Sequence, residues 1–372
     1  MRSWVEISRR QISKNYRAIA AAVGAGVEIM PVVKADAYNH GAGEVSRVLA
    51  GEGVRWFAVA SADEGVALRQ AGIEAGIVLM ADFLPSERDA IIEYDLIPVL
   101  HSIDQIHELS VMAAKAGRTL AYHLKIDSGL SRLGTRASCA EIMDALQSAP
   151  NTTLQGLMTH LASAEDFTSP QTDEQIRTFF ELCDRLRSTA ANPSFIHLSS
   201  TNAIAYGRRE AWHNLVRPGL SLYGYVSPAL GTPPECLLPV VPALMWKAAV
   251  LAVKDLPEAA LVGYNARFRT RRPTRTAVVA AGYADGYPHS LGNTGKVIVN
   301  GVLAPIIGAV SMDLITVDIT DCPLLAPGDT VTLLGRQNSA SMDAQDISTL
   351  AGTIPYAILC GINRRVNRQY VD

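Results

Sequence analysis

Through about residue 225, short β-branched apolar runs alternate with stretches whose apolar residues return at helical spacing. The runs lie at 27–34, 56–61, 77–81, 97–100, 121–126, 154–160, 195–200 and 215–223. Between them, Ile103, Ile106, Leu109, Met112 and Ala113 form one amphipathic stripe, and Ile176, Phe179, Phe180, Cys183 and Leu186 form another. Strand and helix patterns repeated in this way predict parallel strands with helical crossovers. About eight such strands are what a closed barrel requires, so the expected fold is α/β, an N-terminal (β/α)8 TIM-type barrel.

The ends of the helices carry their own signals. Ser86-Glu87, Ser102 and Thr172-Asp173-Glu174 offer N-cap chemistry, and Gly53, Gly72 and Gly117 sit where helices should stop. Gly231, Pro233, Pro234 and Pro239 then interrupt any regular element, which places a domain boundary between residues 1–228 and 229–372. Beyond it the apolar runs at 243–253, 276–281, 296–299, 302–307, 314–319 and 329–334 follow one another without helices, so the C-terminal domain is expected to be mostly β. Asn300-Gly301 between two such runs predicts a type I′ hairpin turn, which needs positive φ at both residues. One short helix is expected over 343–351, ended by Gly352.

Composition narrows the function. Hydrophobic residues are 48% of the 372 and charged residues 19%, a globular profile with ample core. Lys and Arg number 33 against 36 Asp and Glu, a net charge of −3, so no basic excess exists to bind nucleic acid. Cys139, Cys183, Cys236, Cys322 and Cys360 lack the spacing of a zinc or redox motif, so no metal is expected and a reducing cytoplasm fits. No apolar run nears the roughly 18 residues of a membrane span, and the stretch at 19–27 reads as a helix rather than a signal peptide. The absence of a G-x-G-x-x-G, a Walker loop and an H-E-x-x-H helix removes the dinucleotide, nucleotide and zinc-protease readings.

In a parallel barrel the working residues belong at the C-terminal ends of strands. Lys34 follows the first run directly; burial there would lower its pKa and make it a nucleophile, although an ion-paired or snorkelling lysine has the same spacing. The fifth run leads through Lys125 into a glycine-rich loop holding Arg132, a side chain suited to a carboxylate. His160 ends the sixth, where a lone histidine is more often a satisfied structural group than a catalyst. Ser200, Thr201 and Gly219 meet above the last two runs, where a phosphate site and a helix N-cap are both compatible.

These strings in order, from Trp4-Val5-Glu6-Ile7 through Val33-Lys34-Ala35-Asp36-Ala37-Tyr38-Asn39-His40-Gly41, residues 125–134, Thr159-His160, Val216-Arg217-Pro218-Gly219, Gly282 to Gly286, Met312-Asp313, Tyr356 and the closing residues 364–370, resemble alanine racemase over nearly the whole chain. The resemblance implies pyridoxal 5'-phosphate as cofactor, alanine as substrate and D-alanine supplied for peptidoglycan. It implies that Lys34 carries the cofactor covalently, that Tyr38, Ser200, Thr201, Gly219 and Tyr356 surround its phosphate, and that Arg217, supported by His160, faces the pyridine nitrogen. It assigns the two proton-transfer groups to Lys34 for D-alanine and Tyr264 for L-alanine, Tyr264 reaching in from the second subunit of a homodimer with shared active sites. Arg132 and the Met312 backbone would hold the substrate carboxylate, Asp313 would line the entrance, and Lys125 would be carboxylated.

The chain departs from the family at several positions. Ser200-Thr201 stands where Asn-Ser is usual, His289 replaces an arginine, Ser311 a cysteine and Ala357 a glutamate. Three rivals remain at this point: a barrel-type racemase or decarboxylase for another amino acid; a non-catalytic pyridoxal-phosphate carrier, which would leave the C-terminal domain without a task; and a barrel enzyme without this cofactor.

Overall fold

In the computed structural model, which describes residues 1–81, 83–189 and 191–372, the short apolar runs of the N-terminal part stand side by side as parallel strands. After a first strand β1 (Ser3–Ser8), they are β2 (Glu28–Ile29), β3 (Trp56–Val59), β4 (Gly76–Leu79), β5 (Ile97–Leu100), β6 (Leu120–Lys125), β7 (Thr152–Met158), β8 (Phe195–His197) and β9 (Leu215–Val216). Strands β3 to β8 pair in chain order. The ring closes because β2 pairs with β9, Val32 bridges Ala58 beside β3, and the Arg217 N–H donates to the Ser199 carbonyl beyond β8 at 2.9 Å. Among the described residues this gives eight parallel strands in a (β/α)8 arrangement, the fold class that the alternation predicts.

The strand runs are shorter than the apolar runs, and prolines explain two cases. Pro31 has no N–H for a ladder, so β2 covers only Glu28–Ile29, although the Met30 and Val32 N–H groups still donate to the Val216 and Pro218 carbonyls at 2.9 Å each and Val32 bridges Ala58. Pro218 likewise ends β9, and Leu220–Tyr223, expected as strand, is a 3-10 turn. The expected helices form at Ile103–Lys115, capped by Ser102 accepting from Gln105 N–H, and at Gln171–Arg187. Two expected caps do not form: Thr172, Asp173 and Glu174 lie inside their helix, whose N-cap position is Pro170, and Ser86-Glu87 belongs to a 3-10 turn.

The rest of the strands are β10 (Leu244–Leu256), β11 (Leu261–Val262), β12 (Phe268–Arg269), β13 (Thr274–Val279), β14 (Lys296–Val299), β15 (Val302–Pro305), β16 (Ile315–Asp318), β17 (Thr330–Gln337), β18 (Ala340–Met342) and β19 (Asn367–Val371). The main sheet runs β15-β14-β17-β10-β1-β19, with β13 joining β10 to β16. Strand β1 is antiparallel to β10 and parallel to β19, and its alternate residues Val5 and Ile7 are buried. Two compact units result: Met1–Gln11, Tyr38–Gly41 and Pro242–Asp372 form the mostly-β unit, and Ile12–Ala37 with Ala42–Val241 the barrel. The first eleven residues, counted with the barrel in the chain-order division, thus pack in the β unit. The Asn300-Gly301 turn has φ of +49° and +86°, as a type I′ hairpin requires. A second late helix, Pro355–Gly361, had no foretelling periodicity. Among the described residues no helix is long and apolar enough to cross a membrane.

Gly286 shows how tightly the β unit is closed. Its φ is +98°, and a Cβ there would lie 2.0 Å from the Gly361 carbonyl oxygen. Gly286→Ala combines left-handed strain with a backbone clash and should destabilise the β unit by about 2 kcal/mol or more. The urea midpoint of the unfolding step reported by Trp246 measures it; an unchanged midpoint contradicts the packing.

Candidate active site

Past Val33 the backbone turns left-handed. Ala35 to Asn39 all have φ between +52° and +64°, within one helical turn, Lys34–Asn39. None is glycine, and each such residue costs about 1–2 kcal/mol over the right-handed form, so the turn persists only where neighbours hold it. In the barrel, Ala37 N–H donates to Val33 O at 2.8 Å, Ala35 N–H to the Glu64 carboxylate at 2.6 Å, and Ala42 N–H to Asp36 at 2.7 Å. In the β unit, the Asn39 amide donates to the carbonyls of Leu359, Cys360 and Ile362 at 3.0, 2.7 and 2.9 Å. Half-buried Lys34 heads this turn.

Inside the barrel, Arg217 is only 2% exposed and no carboxylate pairs with it among the described residues. Its Nη1 donates to Nδ1 and to the carbonyl of His197 at 2.7 and 2.8 Å, and its Nη2 to the carbonyls of Thr159 and Leu198 at 2.8 and 3.1 Å, with His160 Nδ1 at 3.4 Å. None of these bonds uses Nε–H, which leaves that donor for a ligand. Burial draws the guanidinium down to about 9, still a cation at neutral pH.

Burial first, and the Arg217 charge after it, lowers the pKa of the neighbouring groups. His160 falls to about 3, first by burial and then through Arg217, Lys125, Arg132 and Lys34. Lys125, 5% exposed, falls to about 8, by burial and then through Arg217 and Arg132. Arg132 is exposed and has no ion pair among the described residues, because Asp127 in the same loop is taken by Arg136 at 2.8 Å. Lys34, Lys125, Arg132, His160 and Arg217 therefore share one electrostatic environment.

Above β8 and β9 the outcome is mixed. Ser200 occupies an N-cap position yet its hydroxyl makes no cap bond. Thr201 Oγ1 accepts from the N–H groups of Gly219 and Ser221 at 3.2 and 3.1 Å. The Gly219 N–H is thus engaged within the protein.

The β unit holds the other candidates. Tyr38 and Tyr356 stack with centroids 5.8 Å apart, and burial first, then Tyr356, raises the Tyr38 phenol. Gly282 lets two turns meet, since a Cβ would lie 2.3 Å from Ser311 O; Tyr283 and Ala284 N–H then donate to the Ser311 and Met312 carbonyls at 3.0 Å each. The Met312 N–H has no partner among the described residues. Arg365 bridges Asp285 at 2.6 Å and Asp313 at 2.7 Å, a pinning of the Asp313 loop that the sequence reading missed. Ser311, at the position of the family's cysteine, closes its own turn through Leu314, and His289 meets Tyr283 edge-on with ring centroids 6.0 Å apart. Ala357 is exposed. Tyr264 stands 72% exposed after Gly263.

Family models described as the alanine racemase N-terminal and C-terminal domains match residues 7–228 and 243–370. The chain belongs to the alanine racemase family. An alanine racemase of Halothermothrix orenii is 36% identical over 372 residues, covering 99% of this chain and 96% of that protein. The crystal structure of alanine racemase from D-cycloserine-producing Streptomyces lavendulae superposes with a TM-score of 0.93 at 31% identity, covering 100% of this chain and 97% of that one. One from Bartonella henselae, with covalently bound pyridoxal phosphate, gives 0.89 at 30% identity over 100% of both chains.

The residues here fit that cofactor: a lysine at a strand end, an uncapped Ser200 hydroxyl and a buried cation with one donor to spare. Missed by sequence reading were Glu64 and Asn39, which brace the turn, and His123 and His197, which sit deeper in the barrel. His123 precedes Lys125 by two residues in β6, so strand alternation was the available signal.

His160 yields a pH test. Its folded pKa lies below the ordinary 6.5, so unfolding takes up a proton between roughly pH 3 and 6.5, and stability falls as pH falls through that window. On urea unfolding at about pH 5, His160→Asn should absorb about one proton fewer than the parent chain by potentiometry. Equal uptake would mean an imidazole already charged in the folded state.

Proposed function

We propose that this chain interconverts L- and D-alanine with pyridoxal phosphate, as a dimer whose two sites each draw on both chains. The buried Arg217 cation is the observation that carries the reading. Pyridoxal phosphate, when bound, supplies a conjugated ring that accepts electron density from the substrate's α-carbon. A permanent cation against the ring nitrogen disfavours its protonation and moderates that withdrawal, which suits proton exchange without transamination.

Lys34 holds the cofactor, with Tyr38, Ser200, Thr201, Gly219 and Tyr356 around its phosphate, and neutral His160 supports Arg217. Inversion needs a proton removed on one face and returned on the other, so two acid–base groups flank the α-carbon. Lys34 serves the D face. The Tyr264 phenol serves the L face, and its 72% exposure suits a group that completes another chain's site. Arg132 and the Met312 N–H take the substrate carboxylate, with Asp313 at the entrance. The product is D-alanine for peptidoglycan, made in the cytoplasm, in keeping with five free cysteines.

Lys125 is carboxylated. Only a neutral amine attacks carbon dioxide, and a pKa of about 8 keeps a substantial neutral fraction near neutral pH. A C–N bond forms, one proton leaves, and the resulting anion orients Arg132. With 13C-labelled bicarbonate, a carbamate carbon signal should appear and vanish in Lys125→Gln. A bare amine in high-resolution density at neutral pH rules the modification out.

Subunit mixing tests the whole assignment. Lys34→Ala and Tyr264→Ala chains are each expected to be inactive, but a mixed dimer carries one doubly defective site and one intact site. Random exchange makes about half the dimers mixed, so alanine racemisation should return to about a quarter of the parent level. No recovery after proven exchange would return Tyr264 to its own chain or remove it from the reaction.

A further inference from the structure

Behind Arg217 lies a second layer of polar groups that the racemisation chemistry does not use. His197 and His123 are both fully buried, and His197 Nε2 lies 2.8 Å from His123 Nδ1. His123 Nε2 in turn lies 3.3 Å from Gln155 Oε1, at a half-buried position. Arg217, His197, His123 and Gln155 therefore form one chain of contacts leading away from the site.

The direction of every bond follows from one fact: a guanidinium only donates. His197 Nδ1, facing Arg217 Nη1, must accept, so its proton sits on Nε2. That N–H donates to His123 Nδ1, which fixes the His123 proton on Nε2, and this N–H donates to Gln155 Oε1. Reversing any link would set two donors face to face at Arg217. Burial acts in the same sense, driving both imidazoles towards the neutral form.

The backbone is built around this contact. Pairing of β6 with β7 slips by one residue, so that Tyr122 faces Leu154 but His123 faces Gly156, and Gln155 falls out of the ladder. A bulge of this kind re-aims a side chain. Gly156 completes the fit, because a Cβ there would lie 2.5 Å from His123 Nδ1 and 2.6 Å from Cγ.

We propose that His123, oriented by Gln155 across the β7 bulge and acting through His197, is a positioning residue that fixes the Arg217 guanidinium for the cofactor's ring nitrogen. The proposal rests on the placement of Arg217 against that nitrogen. With Nη1 and Nη2 bound to carbonyls and His197, the plane of the guanidinium is set, and Nε–H points from a rigid frame. Loss of the His197 acceptor on the far side frees the imidazole to rotate or change tautomer, and Arg217 then loses one of its anchors.

Histidine-selective 15N NMR of the full chain without cofactor reads the tautomers directly. His197 and His123 should both be neutral with the proton on Nε2, and an Nδ1–H form for either overturns the proposal. Three variants of the holoenzyme test the consequence. His123→Leu removes the acceptor and should lower kcat about tenfold, with KM within about twofold of the parent. His123→Asn places an amide oxygen near the Nδ1 position and should retain kcat within about threefold. His123→Gln reaches instead towards the Nε2 position and should fall with the leucine variant. A kcat for His123→Leu equal to that of the parent, or equal losses for leucine and asparagine, overturns the proposal. Should the leucine chain fail to fold, asparagine against glutamine decides, and equal kcat values count against it. Arg217→Gln separates the two levels: if it leaves kcat and the cofactor's absorption unchanged, the placement of Arg217 itself is wrong. An impaired Arg217→Gln beside an unimpaired His123→Leu rejects the relay alone.

Discussion

A guanidinium ion buried without a carboxylate sets the terms for the barrel interior. An acid beside Arg217 would satisfy it at once, but would also cancel the field that the neighbouring groups feel. Carbonyls of Thr159, His197 and Leu198 and one imidazole nitrogen satisfy it instead, and these neutral acceptors leave the charge intact. Burial first, and this charge after it, acts on the groups around it. His160 gives up its proton, Lys125 loses much of its basicity, and the His197–His123 pair is neutral and directional.

The left-handed turn is the second constraint. Five consecutive non-glycine residues at positive φ would unravel in isolation, at about 1–2 kcal/mol each. Three side chains convert that liability into a rigid element: Glu64 accepts from the Ala35 N–H, Asp36 from the Ala42 N–H just past the turn, and the Asn39 amide donates to carbonyls of the β unit. Lys34 at its head and Tyr38 near its end are thus fixed by one turn of backbone rather than by a flexible loop. For the role proposed for Lys34, holding the cofactor and moving a proton, a defined starting position limits the search that each step requires.

The β unit solves a different problem, the exact presentation of backbone. Gly282 admits the Ser311 and Met312 carbonyls, and Arg365 ties Asp285 to Asp313, so that the loop carrying the Met312 N–H is held from both sides. Serine in place of cysteine at 311 is accommodated because its hydroxyl closes the local turn. Nothing in the structure explains alanine at 357, which is exposed.

By itself the sequence determined what depends on neighbours in the chain. The barrel strands are contiguous apolar runs, the helices repeat locally, the hairpin is two residues long, and the residues at strand ends follow from the alternation. Lys34, Lys125 and His160 were legible for that reason, whereas Arg217 was singled out only by the family resemblance. Only the tertiary structure decided what depends on distant partners. Strand β1 reads like any N-terminal strand, yet it pairs with β10 and β19 from the other end of the chain. Alanine and aspartate at 35–37 carry no signal for positive φ, because the residues that impose it come from Glu64 and other segments. His123 and His197 are 74 residues apart, and each alone looks like a core histidine. Periodicity reports which face of an element is buried; what it is buried against is set by closure of the sheet, which no local pattern records.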